Sequence, residues 1–141
     1  MVTYLFNIDL TVGAPYNALK STWRGVFLDA GELARKAVDV ASDLQASDIL
    51  MLDLRPLNVF ADYFVFMSAE TSRQINAIQE EMRLKLKEAG AMPHHVEGKS
   101  DSGWVLMDYG DVIIHIFDQQ MRDYYRLEQI WSSAREVVRI Q

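Results

Sequence analysis

The sequence predicts an α/β fold in which a mixed β-sheet of about five strands is flanked by helices. Two segments, beginning at Asp29 and at Thr71, place apolar residues at helical intervals behind a potential capping box. Short apolar runs typical of buried strands lie between and after them, and two of these runs meet around Gly110 as a tight hairpin. Helices interspersed with strands, together with one antiparallel hairpin, indicate a mixed sheet covered by helices.

Three helices and five strands account for most of the chain after residue 28. Gly90 ends the second helix, and Asp118 can cap the third. The predicted helices cover residues 29–44, 71–89 and 118–131, and the predicted strands cover 48–54, 63–67, a short run around 96, 104–109 and 112–117.

We divide the chain into an N-terminal extension over residues 1–28, one compact domain over 29–131 and a C-terminal tail over 132–141. The extension contains hydrophobic residues, Gly13 and Pro15 without a sustained period, so we expect a tail or an added strand there. Half of the 141 residues are hydrophobic, which is enough to bury one core.

The composition excludes several chemistries. The chain has no cysteine, which removes disulfides, thiolate nucleophiles and cysteine-based metal sites and favours the reducing cytoplasm. No apolar stretch approaches the roughly 20 residues needed to cross a bilayer, so no membrane partner is expected. The 14 Lys and Arg residues against 20 Asp and Glu residues give a net charge of -6. This charge disfavours direct nucleic-acid binding and favours encounter with a basic protein.

A catalytic interpretation would start from four aspartates at strand ends or in turns, where carboxylates could converge on a divalent metal. They are Asp53, Asp62, Asp108 and Asp111. The alternative is that aspartate favours these positions anyway, because it caps turns and protects sheet edges. We favour the alternative and predict no metal and no cofactor.

The three histidines differ in their settings. His94 and His95 follow Pro93 in a predicted loop and lack the spacing of two ligands on one helix face. His115 interrupts an apolar strand, where alternation places it on one face with Ile113 and Phe117. We interpret it as a partly buried histidine satisfied by one hydrogen bond, for example to a turn carboxylate, rather than as a catalytic base.

The densest unusual cluster is the strand that begins at Trp104. Alternation places Trp104, Leu106 and Asp108 on one face, and it places Val105, Met107 and Tyr109 on the other. A tryptophan beside a leucine and a carboxylate would form a protein-binding hot spot if that face is exposed. The alternative is that Trp104 packs beneath a helix.

Six stretches in sequence order carry a recognisable family pattern. They are Asp48–Asp53, Ala61–Phe66, Thr71–Gln74, Val96–Gly98, Trp104–Phe117 and Tyr124–Trp131. Together they make the chain from about Glu32 to Trp131 resemble the ribosome silencing factor family, also called the Iojap-related family. One departure is the segment Met67–Ser72, where the family usually has a Ser-Gly-Thr-Ser turn and where Ala69 and Glu70 make the loop longer or less flexible.

The resemblance implies a fold like that of nucleotidyltransferases without their catalytic motifs. It also implies a protein that binds large-subunit ribosomal protein fourteen and blocks the small subunit by its bulk. Such factors repress translation, are linked to late large-subunit maturation and often form homodimers. The binding residues that the resemblance carries over are Trp104, Leu106, Asp108 and Tyr109, with Arg73 and Glu128 as further candidates. The competing hypotheses are a metal-dependent nucleotidyltransferase-like enzyme and a dimeric module with a non-ribosomal partner.

Overall fold

The computed structural model describes residues 28–141, so the N-terminal extension lies outside the described residues except for Leu28. The elements are α1 (Ala30–Asp43), β1 (Ser47–Asp53), β2 (Tyr63–Ala69), α2 (Ser72–Glu88), β3 (His95–Glu97), β4 (Trp104–Asp108), β5 (Val112–Asp118), α3 (Gln119–Tyr125), α4 (Leu127–Ile130) and β6 (Arg135–Ile140). Two 3-10 turns occur at Arg55–Leu57 and Ser100–Ser102.

The six strands form one mixed sheet in the order β3-β4-β5-β2-β1-β6. The central strands β2 and β5 pair in parallel, and every other neighbouring pair is antiparallel. The predicted α/β class with a mixed sheet is confirmed, with one strand more than expected. The predicted hairpin is present between β4 and β5, where Gly110 adopts a positive φ of 88°.

Side-chain capping starts both long helices. At α1, Asp29 Oδ1 accepts a hydrogen bond from the Glu32 amide at 2.8 Å, and Glu32 Oε2 accepts one from the Asp29 amide at 3.3 Å. This is the predicted capping box. At α2, Thr71 caps the Gln74 amide at 3.1 Å, but the Gln74 side chain accepts from the Glu70 amide instead of returning to Thr71. The second capping box is therefore only half formed.

The alternation of the strands separates two apolar cores. On one sheet face, Val112, Ile114 and Ile116 of β5 pack with the buried sides of α1 and α2. On the other face, Ile113 and Phe117 pack with side chains from β1 and β2 and with the segment that follows β5. The helices thus cover one face of the sheet, and the shorter C-terminal elements cover part of the other.

The C-terminal region differs from the prediction in two ways. A single helix was expected as far as Trp131, but Arg126 adopts a left-handed conformation, with φ of 47°, and divides it into α3 and α4. The expected tail is wrong for residues 135–140, because they form β6 and pair with β1. Its apolar residues were too few and too interrupted by charge to predict a strand from the pattern alone.

Asp53 is the last residue of β1, and its side chain links this strand to the neighbouring edge strand β6. Its side chain is only 2% exposed, and its two oxygens accept hydrogen bonds from Arg55 at 3.0 and 2.8 Å and from Arg135 at 3.0 Å. These donors hold the pKa of the Asp53 carboxyl well below its usual range. The ion pairs therefore stabilise the fold at neutral pH and lose their effect as the pH falls below the unfolded pKa of about 4.

We expect Asp53→Asn to lower the free energy of unfolding at pH 7 by roughly 1–3 kcal/mol, because two guanidinium groups lose a charged acceptor. Urea denaturation measures the change. The control is Asp39→Asn, which alters an exposed carboxylate of α1. Equal stability of the two variants at pH 7 would contradict this role for Asp53.

Candidate functional site

An incompletely covered sheet face lies opposite α1 and α2. We call it the aromatic face, and it consists of Phe60, Phe64, Trp104, Leu106, Tyr124, Tyr125 and Trp131. Several of its large side chains are exposed: Phe60 is 72%, Tyr124 is 76% and Tyr125 is 41% exposed. Exposed aromatic residues gathered on one face are typical of a protein-binding surface.

Ring contacts divide the aromatic face into two groups. In the first, Phe64 contacts Phe60 with ring centroids 5.8 Å apart and Trp131 with centroids 5.4 Å apart. In the second, Trp104 contacts Tyr125 at 4.9 Å, and Tyr125 contacts Tyr124 at 5.0 Å. Because these rings hold one another, the exposed edges have defined positions rather than many rotamers.

Trp104 is half-buried at the start of β4, so it is neither fully covered nor fully exposed. One ring face stacks on Phe117 with centroids 5.1 Å apart. The indole Nε1–H donates a hydrogen bond to His115 Nδ1 at 3.3 Å. Trp104 is therefore anchored in the second core while part of its ring remains available to a partner.

Leu106 and Asp108 lie on the same face of β4 as Trp104, as alternation predicts, and both are half-buried. Asp108 Oδ1 accepts a hydrogen bond from the Gly110 amide at 2.7 Å. This contact fixes the β4–β5 turn and places a carboxylate at the margin of the aromatic face.

Tyr109 is not part of this face. It is only 7% exposed and packs in the core on the helix side of the sheet. Its hydroxyl finds no hydrogen-bond partner within residues 28–141, and burial raises its pKa to about 12. Alternation along β4 places Tyr109 on the face opposite Trp104, so the two residues could not both belong to one binding face.

The two further candidates are also separated from the aromatic face or occupied by other contacts. Arg73 is exposed in the first turn of α2, which packs on the opposite side of the sheet. Glu128 Oε1 accepts a hydrogen bond from Arg122 Nε at 2.8 Å. Glu128 therefore has a structural role that the sequence did not indicate.

Arg122 is the residue that sequence reasoning missed. Its side chain is 3% exposed and donates to Ser68 Oγ at 2.8 Å as well as to Glu128. Its guanidinium carbon lies 5.8 Å from the centroid of the Phe66 ring. Among the residues of α3 and α4, only Arg122 is buried, so it fixes the segment that carries Tyr124 and Tyr125 onto the sheet.

His115 lies beneath the aromatic face and is 4% exposed. Its ring stacks on Phe66 at 4.8 Å with an interplanar angle of 12°. Burial, aided by the charge of Arg122, lowers the pKa of His115 to about 3. The expected buried, hydrogen-bonded histidine is found, but its partner is the Trp104 indole and not a carboxylate.

Two of the four aspartates of the catalytic hypothesis are held by other contacts. Asp53 is held by two arginines, and Asp108 caps the turn at Gly110. Within residues 28–141, no group of three or more His, Cys, Asp or Glu side chains is arranged to hold a metal ion. The described helices also include none that is long and apolar enough to span a bilayer.

Comparison with known proteins identifies the family. The family described as "Ribosomal silencing factor during starvation", RsfS, matches residues 28–141. The chain belongs to the ribosomal silencing factor family. The Bacillus subtilis ribosomal silencing factor RsfS is 37% identical over 98 residues, which make up 70% of this chain and 83% of that protein. The chloroplastic Iojap protein of Arabidopsis thaliana is 38% identical over 109 residues, 77% of this chain and 43% of that protein.

A solved structure agrees with this RsfS assignment. The crystal structure of a Chromobacterium violaceum protein matches with a TM-score of 0.71 at 31% identity, covering 74% of this chain and 88% of that one. The RsfS match also continues to residue 141, beyond the end of the resemblance at Trp131. Strand β6 is thus part of the family domain.

His115 should make stability depend on pH. Its folded pKa, about 3, lies below its unfolded value of about 6.5, so its contribution is complete above pH 6.5 and is lost as the pH falls toward 3. Between pH 7.5 and 4.5 we expect wild type to lose about 2–3 kcal/mol relative to His115→Phe, because protonation costs about 1.4 kcal/mol for each pH unit below 6.5. Urea denaturation of both proteins at the two pH values measures the difference between their free energies of unfolding. The same difference at both pH values would contradict this expectation.

Proposed function

We propose that this chain represses translation by binding large-subunit ribosomal protein fourteen and obstructing the approach of the small subunit. The aromatic face carries the proposal, because it combines exposed aromatic side chains with a rigid support. Trp104 and Leu106 lie on a paired strand, and Tyr124 and Tyr125 lie on a helix held by a buried arginine. Rigid aromatic side chains are the residues that most often dominate binding energy at protein interfaces.

Charge favours a basic partner. The chain has a net charge of -6, and carboxylates border the aromatic face at Asp108 and, next to Tyr124, at Asp123. Proteins that pack against ribosomal RNA need an excess of lysine and arginine to neutralise phosphates. Complementary potentials would speed encounter with such a protein, while the same acidic surface would be repelled by RNA.

Obstruction requires affinity and position, and it requires no chemical step. A standard interface buries about 800 Å² on each partner, about a tenth of the 8511 Å² that this chain exposes. Most of the domain would then remain outside the contact as bulk. The ion pairs of Asp53 suit structural stabilisation better than a cation site, so the nucleotidyltransferase-like alternative gains no support from this carboxylate.

The resemblance extends the proposal in three respects. Binding to the large subunit would also allow a role in its late maturation. Homodimer formation stays a prediction, as does residence in the cytoplasm, where a cysteine-free chain is well suited to reducing conditions. None of these is needed for obstruction itself.

A subunit-joining experiment tests the central proposal. Purified small and large subunits are mixed with increasing amounts of the protein, and the joined fraction is measured by sedimentation. We expect joining to fall as the large subunit becomes saturated with the protein. Complete joining while the protein stays bound to the large subunit would refute obstruction.

Trp104→Ala should weaken co-sedimentation with the large subunit at least about tenfold, because a packed aromatic side chain at the centre of an interface is lost. Leu84→Ala is the matched control, since Leu84 is 51% exposed but lies on α2, across the sheet. Thermal unfolding confirms that both variants are folded. Equal loss of binding in both variants would remove the aromatic face from the proposal.

Two substitutions of Asp108 distinguish the effect of its charge on binding from its structural role in the β4–β5 turn. Asp108→Asn keeps an acceptor for the Gly110 amide and removes the charge, whereas Asp108→Lys reverses it. If the partner is basic, we expect affinity for the large subunit to fall in the order wild type, Asn variant, Lys variant, with the differences shrinking at high salt. Binding by the Lys variant equal to wild type at low salt would contradict a basic partner.

A further inference from the structure

Trp104 and His115 are diagonal neighbours in the β4–β5 pair. Trp104 pairs with Phe117, and Leu106 pairs with His115. Side chains in such diagonal positions lie on the same sheet face, within reach of one another when they are aromatic or long. The register of the hairpin therefore brings the indole of the candidate binding tryptophan to a buried imidazole.

The hydrogen bond between them has a required direction. The indole Nε1–H is a donor only, so His115 Nδ1 must be an unprotonated acceptor, and the ring proton must be on Nε2. His115 Nε2 is buried and finds no partner within residues 28–141. Burying such a group lowers stability. The stability of this core therefore gives no reason for a histidine in preference to a phenylalanine.

The imidazole is itself fixed in place. It stacks on Phe66 at 4.8 Å and lies parallel to Phe117 within 10°. Phe64 contacts it edge-on with ring centroids 5.2 Å apart. A ring enclosed on these sides has a fixed plane, and in that plane Nδ1 faces the Trp104 indole.

We propose that His115 is a positioning residue, which fixes the Trp104 indole in the orientation that the binding partner recognises. This inference rests on the proposed function, because it takes Trp104 as a contact residue. The ring contacts of Trp104 with Phe117 and Tyr125 are not directional within the indole plane, whereas the hydrogen bond to His115 fixes where Nε1 points. A pre-oriented side chain loses less conformational entropy on binding, and this raises affinity without adding a contact.

Two substitutions separate the acceptor from the shape of the ring. His115→Phe keeps an aromatic ring for stacking and removes the acceptor. His115→Asn can place an amide oxygen near the position of Nδ1 and so restore an acceptor. In 15N-labelled protein, the indole N–H signal of Trp104 is identified by its loss in Trp104→Phe, which distinguishes it from Trp23 and Trp131.

We expect His115→Phe to shift the Trp104 indole N–H signal and to speed exchange of that proton with solvent. Affinity for purified large subunits should fall roughly three- to tenfold, the range of one lost hydrogen bond, while unfolding at pH 7 requires as much urea as in wild type or more. His115→Asn should recover part of both the signal and the affinity. In the Trp104→Phe background, His115→Phe should cause no further loss of binding.

The outcomes distinguish this inference from the proposed function. If Trp104→Ala and His115→Phe both bind like wild type, the aromatic face is not the contact surface, and both proposals fail. If only Trp104→Ala loses affinity, the face stands and the positioning role of His115 is refuted. The positioning role is also refuted if His115→Phe weakens binding equally with and without the Trp104 indole.

Discussion

The pairing of β5 with β4 and β2 is the constraint on which the rest of the structure depends. Because successive side chains point to opposite faces, β5 sends Ile114 and Ile116 toward the long helices and His115 and Phe117 toward the other side. A slip of one residue would place the imidazole among α1 and α2 and expose aliphatic residues where Trp104 now packs. One register therefore fixes both the helix-covered core and the platform beneath the aromatic face.

The two sides of the sheet are stabilised by different interactions. The helix side is a continuous apolar core, whereas α3 and α4 contribute one buried side chain, that of Arg122. Its contacts with Glu128, Ser68 and the Phe66 ring satisfy a buried charge that would otherwise be costly. Loss of Glu128 would thus weaken the attachment of the segment bearing Tyr124 without removing any residue of the aromatic face.

Much of this fold could be predicted because its signals are local. Alternation along β4 and β5 and the cap at Asp29 depend on a few neighbouring residues, and all were read correctly. Strand β6 was missed because its few apolar residues are interrupted by charged ones, and only its pairing with the distant β1 makes it a strand. The role of Arg122 was also invisible, since its contacts with β2 and with Glu128 of α4 are brought together only by folding. Tertiary contacts over long separations leave no periodic trace in the sequence.

In the proposed complex, the acidic charge of the chain and its aromatic face would contribute to binding in different ways. Net charge acts over roughly 10 Å and governs how often the partners meet, so its effect falls with added salt. The packed rings act only on contact and govern how long the complex lasts, because most affinity differences between related complexes arise in dissociation. Obstruction of subunit joining depends on the second property, since a blocking protein must stay bound longer than the small subunit takes to arrive. The rigidity of Trp104, stacked on Phe117 and hydrogen-bonded to His115, therefore matters more to the proposed activity than the net charge of -6.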